Sequence, residues 1–257
     1  MSQTSSTKIF LFTGMLTYVG CSQAEVTFTT GYDHSEGSYG TTHTTSIDYA
    51  SLALKYRAKD SDWRFKLTLP WLSIEGDGVT VDGSGNVVIT DNSSNGTGRV
   101  SGMGDVVFGM TYEFPTIGKH LFDGTLKIKL PTADSDAGLG TGKVDLIYQL
   151  DYAYADKKFM PFSSIGYKRY GQPDDYTLDS VMFGSLGGQF NMPSGSSFGL
   201  SWNYQQAATA SSTDKRDVMG YFNFKLGKTW SATLYGIKGN SESSADREAG
   251  LTLSKKI

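Results

Sequence analysis

Between Trp63 and Trp71, in DWRFKLTLPW, every second residue is large and apolar: Trp63, Phe65, Leu67, Leu69 and Trp71. Arg64, Lys66 and Thr68 are among the residues between them. Successive side chains of an extended strand leave on opposite faces, so a period of two predicts a strand with one oily and one wet face. The period recurs along the chain. In GDVVFGMTYEF, Val106, Phe108, Met110, Tyr112 and Phe114 alternate with Asp105, Gly109, Thr111 and Glu113. In TLKIKL, Leu126, Ile128 and Leu130 alternate with Lys127 and Lys129. In VDLIYQLDYAY, Leu146, Tyr148, Leu150, Tyr152 and Tyr154 oppose Asp145, Gln149 and Asp151. SFGLSWNYQ sets Phe198, Leu200, Trp202 and Tyr204 against Ser201, Asn203 and Gln205, and DVMGYFNFKL sets Val218, Phe222, Phe224 and Leu226 against Asn223 and Lys225. Counting from EVTFTTGY at Glu25, the pattern predicts about twelve strands.

Alternation alone fits two architectures. A soluble sandwich turns its apolar face to a core, whereas a membrane barrel turns it to lipid and keeps the polar face inside. The loops separate the two. If the first strand runs outward, the connections on one side are mostly short: AKDSD, ADKK, NMPSGSS and LGKT, with PTIGKHLFDG longer. Those on the other side are long and polar, among them DHSEGSYGTTH, the segment from Glu75 to Gly102, PTADSDAGLGTGK and QAATASSTDKR. A sandwich has no reason to sort its loops by parity; an outer-membrane barrel does so throughout. Aromatics near strand ends (Trp63, Trp71, Tyr112, Phe114, Trp202, Tyr204, Trp230) suit the girdles such barrels carry at the membrane surfaces. The expected fold is therefore all-β: a transmembrane, antiparallel, up-and-down barrel of about twelve strands. In the longest loop, VTVDGSGNVVIT has β-rich pieces around a Gly/Asn turn and reads as a small hairpin above the barrel.

The N-terminus supports export. A polar start with one cation, Lys8, precedes the short apolar run IFLFTGMLTYVG, and Ser22-Gln23-Ala24 gives the small-x-small pattern of a cleavage site. The run is too short for a spanning helix of ~20 residues. Residues 1–24 then form a signal peptide and 25–257 the mature barrel. Cys21 raises lipidation as an alternative, although Tyr18 stands where lipoprotein signals usually place Leu. A cut after Ala24 leaves the mature chain with no cysteine, hence no disulfides. The net charge of −3 lacks the basic excess of a nucleic-acid binder.

Candidate chemistry is sparse. GLGTGK resembles a phosphate-binding loop, but Gly138 is one residue too close to Gly142, Val144 replaces the hydroxyl residue, and a strand follows where a helix is needed. DSDAG starts like a calcium loop without its later ligands, and turn chemistry accounts better for Asp134 and Asp136. The three histidines fall in connections: His34 and His43 flank the first outward loop, and His120 falls in a short-side turn. No spacing assembles a nucleophile with a base, so no catalytic residue, cofactor or metal is expected. The polar faces carry more information. Arg64, Lys66, Lys127, Lys129, Lys225, Asp105, Glu113, Asp145, Gln149, Asp151 and Glu248 should all point into the barrel, either pairing as a plug or lining a wet path. A barrel of twelve strands lies between eight, which side chains fill, and sixteen, which leave a broad channel.

PWLSIEG, SGMGDVVFGMTYEF, KIKLPTADSDAGLGTGKVD and PFSSIGYKRYGQP, with FGLSWNYQQA, GYFNFKLGKTWSATLYGIKG and AGLTLSKKI, resemble a bacterial outer-membrane family labelled transporter or linked to the MetA pathway of phenol degradation. The resemblance covers most of the mature chain, with the glycine-rich piece its most specific part. It implies an exported barrel that admits small aromatic or hydrophobic compounds, and it brings no catalytic residues. The end departs from barrel habit: Ile257 stands where an aromatic residue commonly aids recognition by the assembly machinery. Expected partners are outer-membrane lipid, small solutes and that machinery. The competing reading is a closed barrel acting through its acidic outward loops.

Overall fold

The structure, a computed structural model, describes residues 8–12, 15–19, 24–39, 44–76, 79–81, 87–89, 98–174, 176–210 and 212–257, with the backbone alone for 8–12, 15–19, 79–81 and 87–89. Twelve strands form one closed antiparallel sheet. They are β1 (Glu25–Gly37), β2 (Thr45–Arg57), β3 (Trp63–Glu75), β4 (Arg99–Met103 and Val106–Glu113), β5 (His120–Leu130) and β6 (Asp145–Tyr154). The second half comprises β7 (Phe159–Arg169), β8 (Val181–Asn191), β9 (Ser197–Gln205), β10 (Lys215–Lys225), β11 (Trp230–Gly239) and β12 (Arg247–Lys256). Each strand pairs with its neighbour in sequence, and β12 pairs back onto β1 from Arg247↔Glu36 to Lys256↔Thr27, which closes the ring. The expected strand number and up-and-down order are those observed.

The parity of the loops also holds. Connections 58–62, 114–119, 155–158, 192–196 and 226–229 lie at one end, and 38–44, 76–98, 131–144, 170–180, 206–214 and 240–246 at the other. Within the longest, Val79–Val81 pairs with Val87–Ile89 as the expected hairpin. Some boundaries differ from expectation. Residues 33–37, read as the start of the first outward loop, continue β1 and pair with β2, so His34 lies in a strand. The second half of PTIGKHLFDG is strand too, because Leu121, Phe122, Asp123 and Gly124 already pair with β6. His120 is accordingly the first residue of β5, with Nδ1 3.0 Å from the Tyr152 hydroxyl. Of the segment read as a signal peptide, residues 1–7, 13–14 and 20–23, with Cys21, lie outside the described residues, as does His43. Lys8–Phe12 and Met15–Val19 pair as a hairpin apart from the barrel sheet.

β4 carries the wall's one interruption among the described strands. Trp71 pairs with Met103 and Thr68 with Val107, so three residues, Gly104 to Val106, stand opposite two, Leu69 and Pro70. This is a β-bulge, and it shifts the alternation by one: Met103 and Phe108 both face outward. Pro70 suits the place, since it has no N–H to give to β4; its carbonyl accepts from the Gly104 N–H at 3.0 Å.

Outward positions form an apolar belt. Leu52, Leu54, Leu67, Leu69, Ile165, Leu186, Leu200, Leu234 and Leu251 are all exposed. Toward the short-turn end the belt ends in a nearly continuous aromatic row: Trp63–Tyr112 at 4.9 Å, Tyr112–Phe114 at 5.1 Å, Phe159–Phe190 at 4.7 Å and Phe190–Phe198 at 5.2 Å between centroids. Toward the long-loop end Tyr32, Trp71, Tyr167 and Trp202 face outward. Trp63 and Trp71 are eight residues apart on β3, about 20 Å of height at roughly 3.3 Å per residue and a tilt of roughly 40°. That approaches the ~25 Å hydrophobic band of an outer-membrane barrel. Above it the outward face turns ionic: His34 Nδ1 lies 2.9 Å from Asp48, and Arg247 binds Glu36. No helix among the described residues is long and apolar enough to cross a membrane.

Candidate functional site

The interior divides into three storeys. At the short-turn end, Arg57 on β2 and Arg64 on β3 are direct cross-strand neighbours, as are Glu113 on β4 and Asp123 on β5. Like charges placed opposite each other repel. The repulsion is offset because the pairs interlock: Arg57 binds Glu113, Arg64 Nε lies 2.7 Å from the other Glu113 oxygen, and Arg64 also binds Asp123. All four side chains are buried. Lys256 extends this layer to Glu25 at 2.8 Å. Facing it on β5–β7 and β10, Leu121, Ala153, Met160, Phe162 and Tyr221 pack together, with Met219 and Tyr235 against them. Charge on one side and apolar packing on the other make a dense floor.

The middle storey is more open. Lys55 and Lys66 pair across β2 and β3; Lys66 and Lys127 both pair with Gly109, which separates them. All three lysines are half-buried. Lys127 reaches the Gln149 amide oxygen at 3.4 Å, and Gln149 donates to Asp151 at 2.6 Å. On the opposite wall Phe183, Met219 and Tyr235 face inward, and they too are half-buried.

At the long-loop end, Lys129 is sealed from solvent between Asp105 and Asp145, 2.9 Å from each, and donates to the Thr141 hydroxyl at 2.6 Å. Thr141 belongs to the glycine-rich loop 131–144. That loop bends inward, so that Gly138, Leu139, Gly140 and Thr141 are buried. Leu139 packs with Ile47, Leu72 and Ile74, which face inward from β2 and β3, and with Tyr39 and Ala245. The carboxylates bond loop backbone as well: Asp105 accepts from the Ala133 N–H of this loop at 3.0 Å, and Asp145 accepts from the Gly171 N–H of the neighbouring loop 170–180 at 2.9 Å. Gly138 (φ 74°) and Gly142 (φ 65°) adopt left-handed conformations that a side chain would strain. Asp134 accepts from the N–H groups of Asp136 and Ala137, the turn chemistry expected of it. Loop 131–144 is a stopper in the barrel's mouth, not a phosphate cradle. A second lid, Tyr170, Leu178, Val181 and Ala208, packs at the same end. There Asp214 accepts from the Ala207 N–H at 3.0 Å and the Tyr204 hydroxyl at 2.9 Å, and these bonds, the backbone one foremost, hold its carboxyl below the usual range.

A family described as "Protein of unknown function (DUF3187)" matches residues 71–217, more than half of the chain. The chain belongs to this family. Among solved structures, a COG4313 outer membrane channel from Pseudomonas putida F1 is similar over 91% of this chain and 96% of its own, with 15% identity and a TM-score of 0.70. The P. putida toluene transporter TodX is similar over 92% of this chain and 91% of its own, with 8% identity and a TM-score of 0.51. At these identities the likeness is one of fold. No curated protein matches.

For this DUF3187 chain, the interior residues expected from sequence fall into distinct groups. Arg64 and Glu113 join the floor, Lys66, Lys127, Gln149 and Asp151 the middle, and Lys129, Asp105 and Asp145 the latch. Glu248 faces inward near the long-loop end, opposite Ser35. Lys225 ends β10 at the short-turn rim, exposed beside Gly195, and stands apart from all three groups. Residues missed by sequence reasoning include Arg57, Lys55 and Asp123. The first two lie on the wet face of TSIDYASLALKYR, where Leu54 and Tyr56 mark the oily one; Asp123 keeps phase with Lys127 and Lys129. The interior aromatics were also missed. Tyr221 shares the face of Asn223, out of phase with Phe222 and Phe224, and its ring lies over Gly199 of β9.

Proposed function

We infer that the protein is a bacterial outer-membrane channel or transporter for passive uptake of small molecules, with its short turns in the periplasm. Its partners are then outer-membrane lipid, small solutes and the barrel assembly machinery, and residues 1–24 serve as the export signal. The observation that carries this reading is the inversion of the barrel: an exposed apolar belt outside, and a ring of lysines, amides and half-buried aromatics inside. Selectivity rests on the inward set Arg64, Lys66, Lys127, Asp151 and their neighbours, and opening requires the loop 131–144 to leave the mouth. Likeness to the COG4313 channel and to TodX supports this assignment, and with the sequence resemblance to MetA-pathway proteins it favours small apolar or aromatic solutes. The role is non-enzymatic in this reading, in keeping with the likeness to channel and transporter structures.

The packed floor and docked loop favour a second reading, a closed barrel that acts through its outward loops. Planar-bilayer recording of the purified chain separates them. Discrete conductance steps that enlarge when the loop is shortened support the channel; a silent protein, before and after shortening, removes it.

A further inference from the structure

The geometry points to a binding chamber in the middle of the barrel for an organic anion with an apolar body, a carboxylate or sulfonate being its head. The chamber has a floor and a roof. Below lie the Arg57–Glu113–Arg64–Asp123 layer and the Leu121–Met160–Phe162–Tyr221 cluster; above sits the docked loop with Leu139. Between them, inward side chains keep partial exposure.

Its two walls differ in kind. β4 and β10 are six strands apart in a ring of twelve, hence diametrically opposed. Around β4, Lys66 and Lys127 flank Gly109, which puts no side chain between them, and Lys55 stands on the far side of Lys66; a Cβ at Gly109 would touch Lys127 and Lys66 at 3.7 to 4.0 Å. Direct cross-strand lysines repel, and a bound anion relieves that repulsion. Around β10, Met219, Tyr235 and Phe183 offer polarizable apolar surface. Of the remaining carboxylates, Asp33 is bonded to the Tyr235 hydroxyl, and Glu248 stands higher, near the long-loop end. Asp151, on the lysine side, is engaged by Gln149. A solute that satisfies both walls carries its charge at one end and its apolar body at the other.

Because binding does not require conduction, the chamber is testable whether or not the protein is a channel. The full chain in detergent would be titrated calorimetrically with benzoate, its neutral isostere benzamide, and acetate. The expected result is benzoate binding at least tenfold tighter than either, lost about tenfold or more in Lys66→Gln/Lys127→Gln and retained in Lys66→Arg/Lys127→Arg. Equal affinity for benzoate and benzamide, equal affinity for benzoate and acetate, or no benzoate binding would overturn the proposal. So would an undiminished affinity in the folded glutamine variant. Should that variant not fold, the comparison of the three ligands on the unaltered chain decides alone.

Discussion

Lys129 Nζ lies 2.9 Å from Asp145 Oδ2, and both side chains are sealed from water. Lys129 is the next-to-last residue of β5 and Asp145 begins β6, so this one pair fastens the two ends of the loop that fills the mouth. Asp105 doubles the attachment from the bulge of β4. Removing one partner of a buried ion pair costs about 3–5 kcal/mol, because the remaining charge is stranded. Lys129→Met strands two carboxylates. The expected outcome is release of Leu139 from Ile47 and Leu72, seen as larger conductance in planar bilayers and faster proteolysis within 131–144. A variant with wild-type conductance and an equally protected loop would show that the latch holds nothing.

Arg64 carries two carboxylates in the floor, Glu113 and Asp123. Arg64→Met is expected to lower stability by about 3–5 kcal/mol. The double replacement Arg64→Met, Asp123→Asn should recover much of that loss, since Arg57 and Glu113 then remain as a balanced pair. Urea unfolding in detergent micelles, followed by the heat-dependent gel shift of barrels, measures both. Equal destabilisation by the single and double variants would mean that packing of the arginine stem, rather than charge, governs the floor.

Faces were legible in the sequence and heights were not. Period-two alternation placed Arg64, Lys66, Lys127 and Asp145 on the inside because face depends only on parity. Which of them touch depends on how far each strand is offset from the next, and hairpin lengths set that offset. Arg64 therefore meets Asp123, from a segment whose Gly118 and Gly124 read as one long turn. The bulge at Gly104 conceals a change of phase in the same way. Inward aromatics such as Tyr221 were hidden for another reason. Aromatics in a barrel default to the lipid face, and only the glycines opposite them, Gly199 under Tyr221 and Gly187 under Phe162, reveal a ring lying flat inside. The loop 131–144 reads as polar and exposed, and Leu139 alone hints that it turns in.

Asp214 predicts a pH dependence of the lid between β9 and β10. Its carboxyl sits below the usual range because the Ala207 N–H and the Tyr204 hydroxyl bond the ionised form. A carboxyl depressed in the folded state stabilises that state above its unfolded pKa of about 4, and the contribution fades as pH falls through the lower folded value. Amide exchange at Ala207 should thus show more opening of the lid under acid conditions than the general slowing of exchange would suggest. Asp214→Asn should show the same opening at neutral pH. Protection at Ala207 that is identical in the asparagine variant would dissociate the carboxylate from the lid.

Gly187 and Phe162 make the sharpest steric test of the interior. Gly187 faces inward on β8 directly beside Phe162 of β7, and a Cβ at 187 would come within 2.5 Å of both the Phe162 ring and the Leu200 carbonyl. Real Cβ atoms do not approach so closely, so the ring or the backbone must move. The carbonyl belongs to the closed sheet and yields little, whereas the ring has the lumen beside it. Gly187→Ala is therefore expected to cost about 1–3 kcal/mol, the usual range for overpacking, and to push Phe162 toward Tyr221 and the barrel axis. In the channel reading that narrows the path just above the floor, and single-channel conductance should fall. Gly187→Ala with Phe162→Leu should restore both stability and conductance, because the smaller side chain clears the space. If the double variant is no better than the single one, the strain lies in the backbone of β8 and β9, and the aromatic ring is not what occupies the space over the glycine.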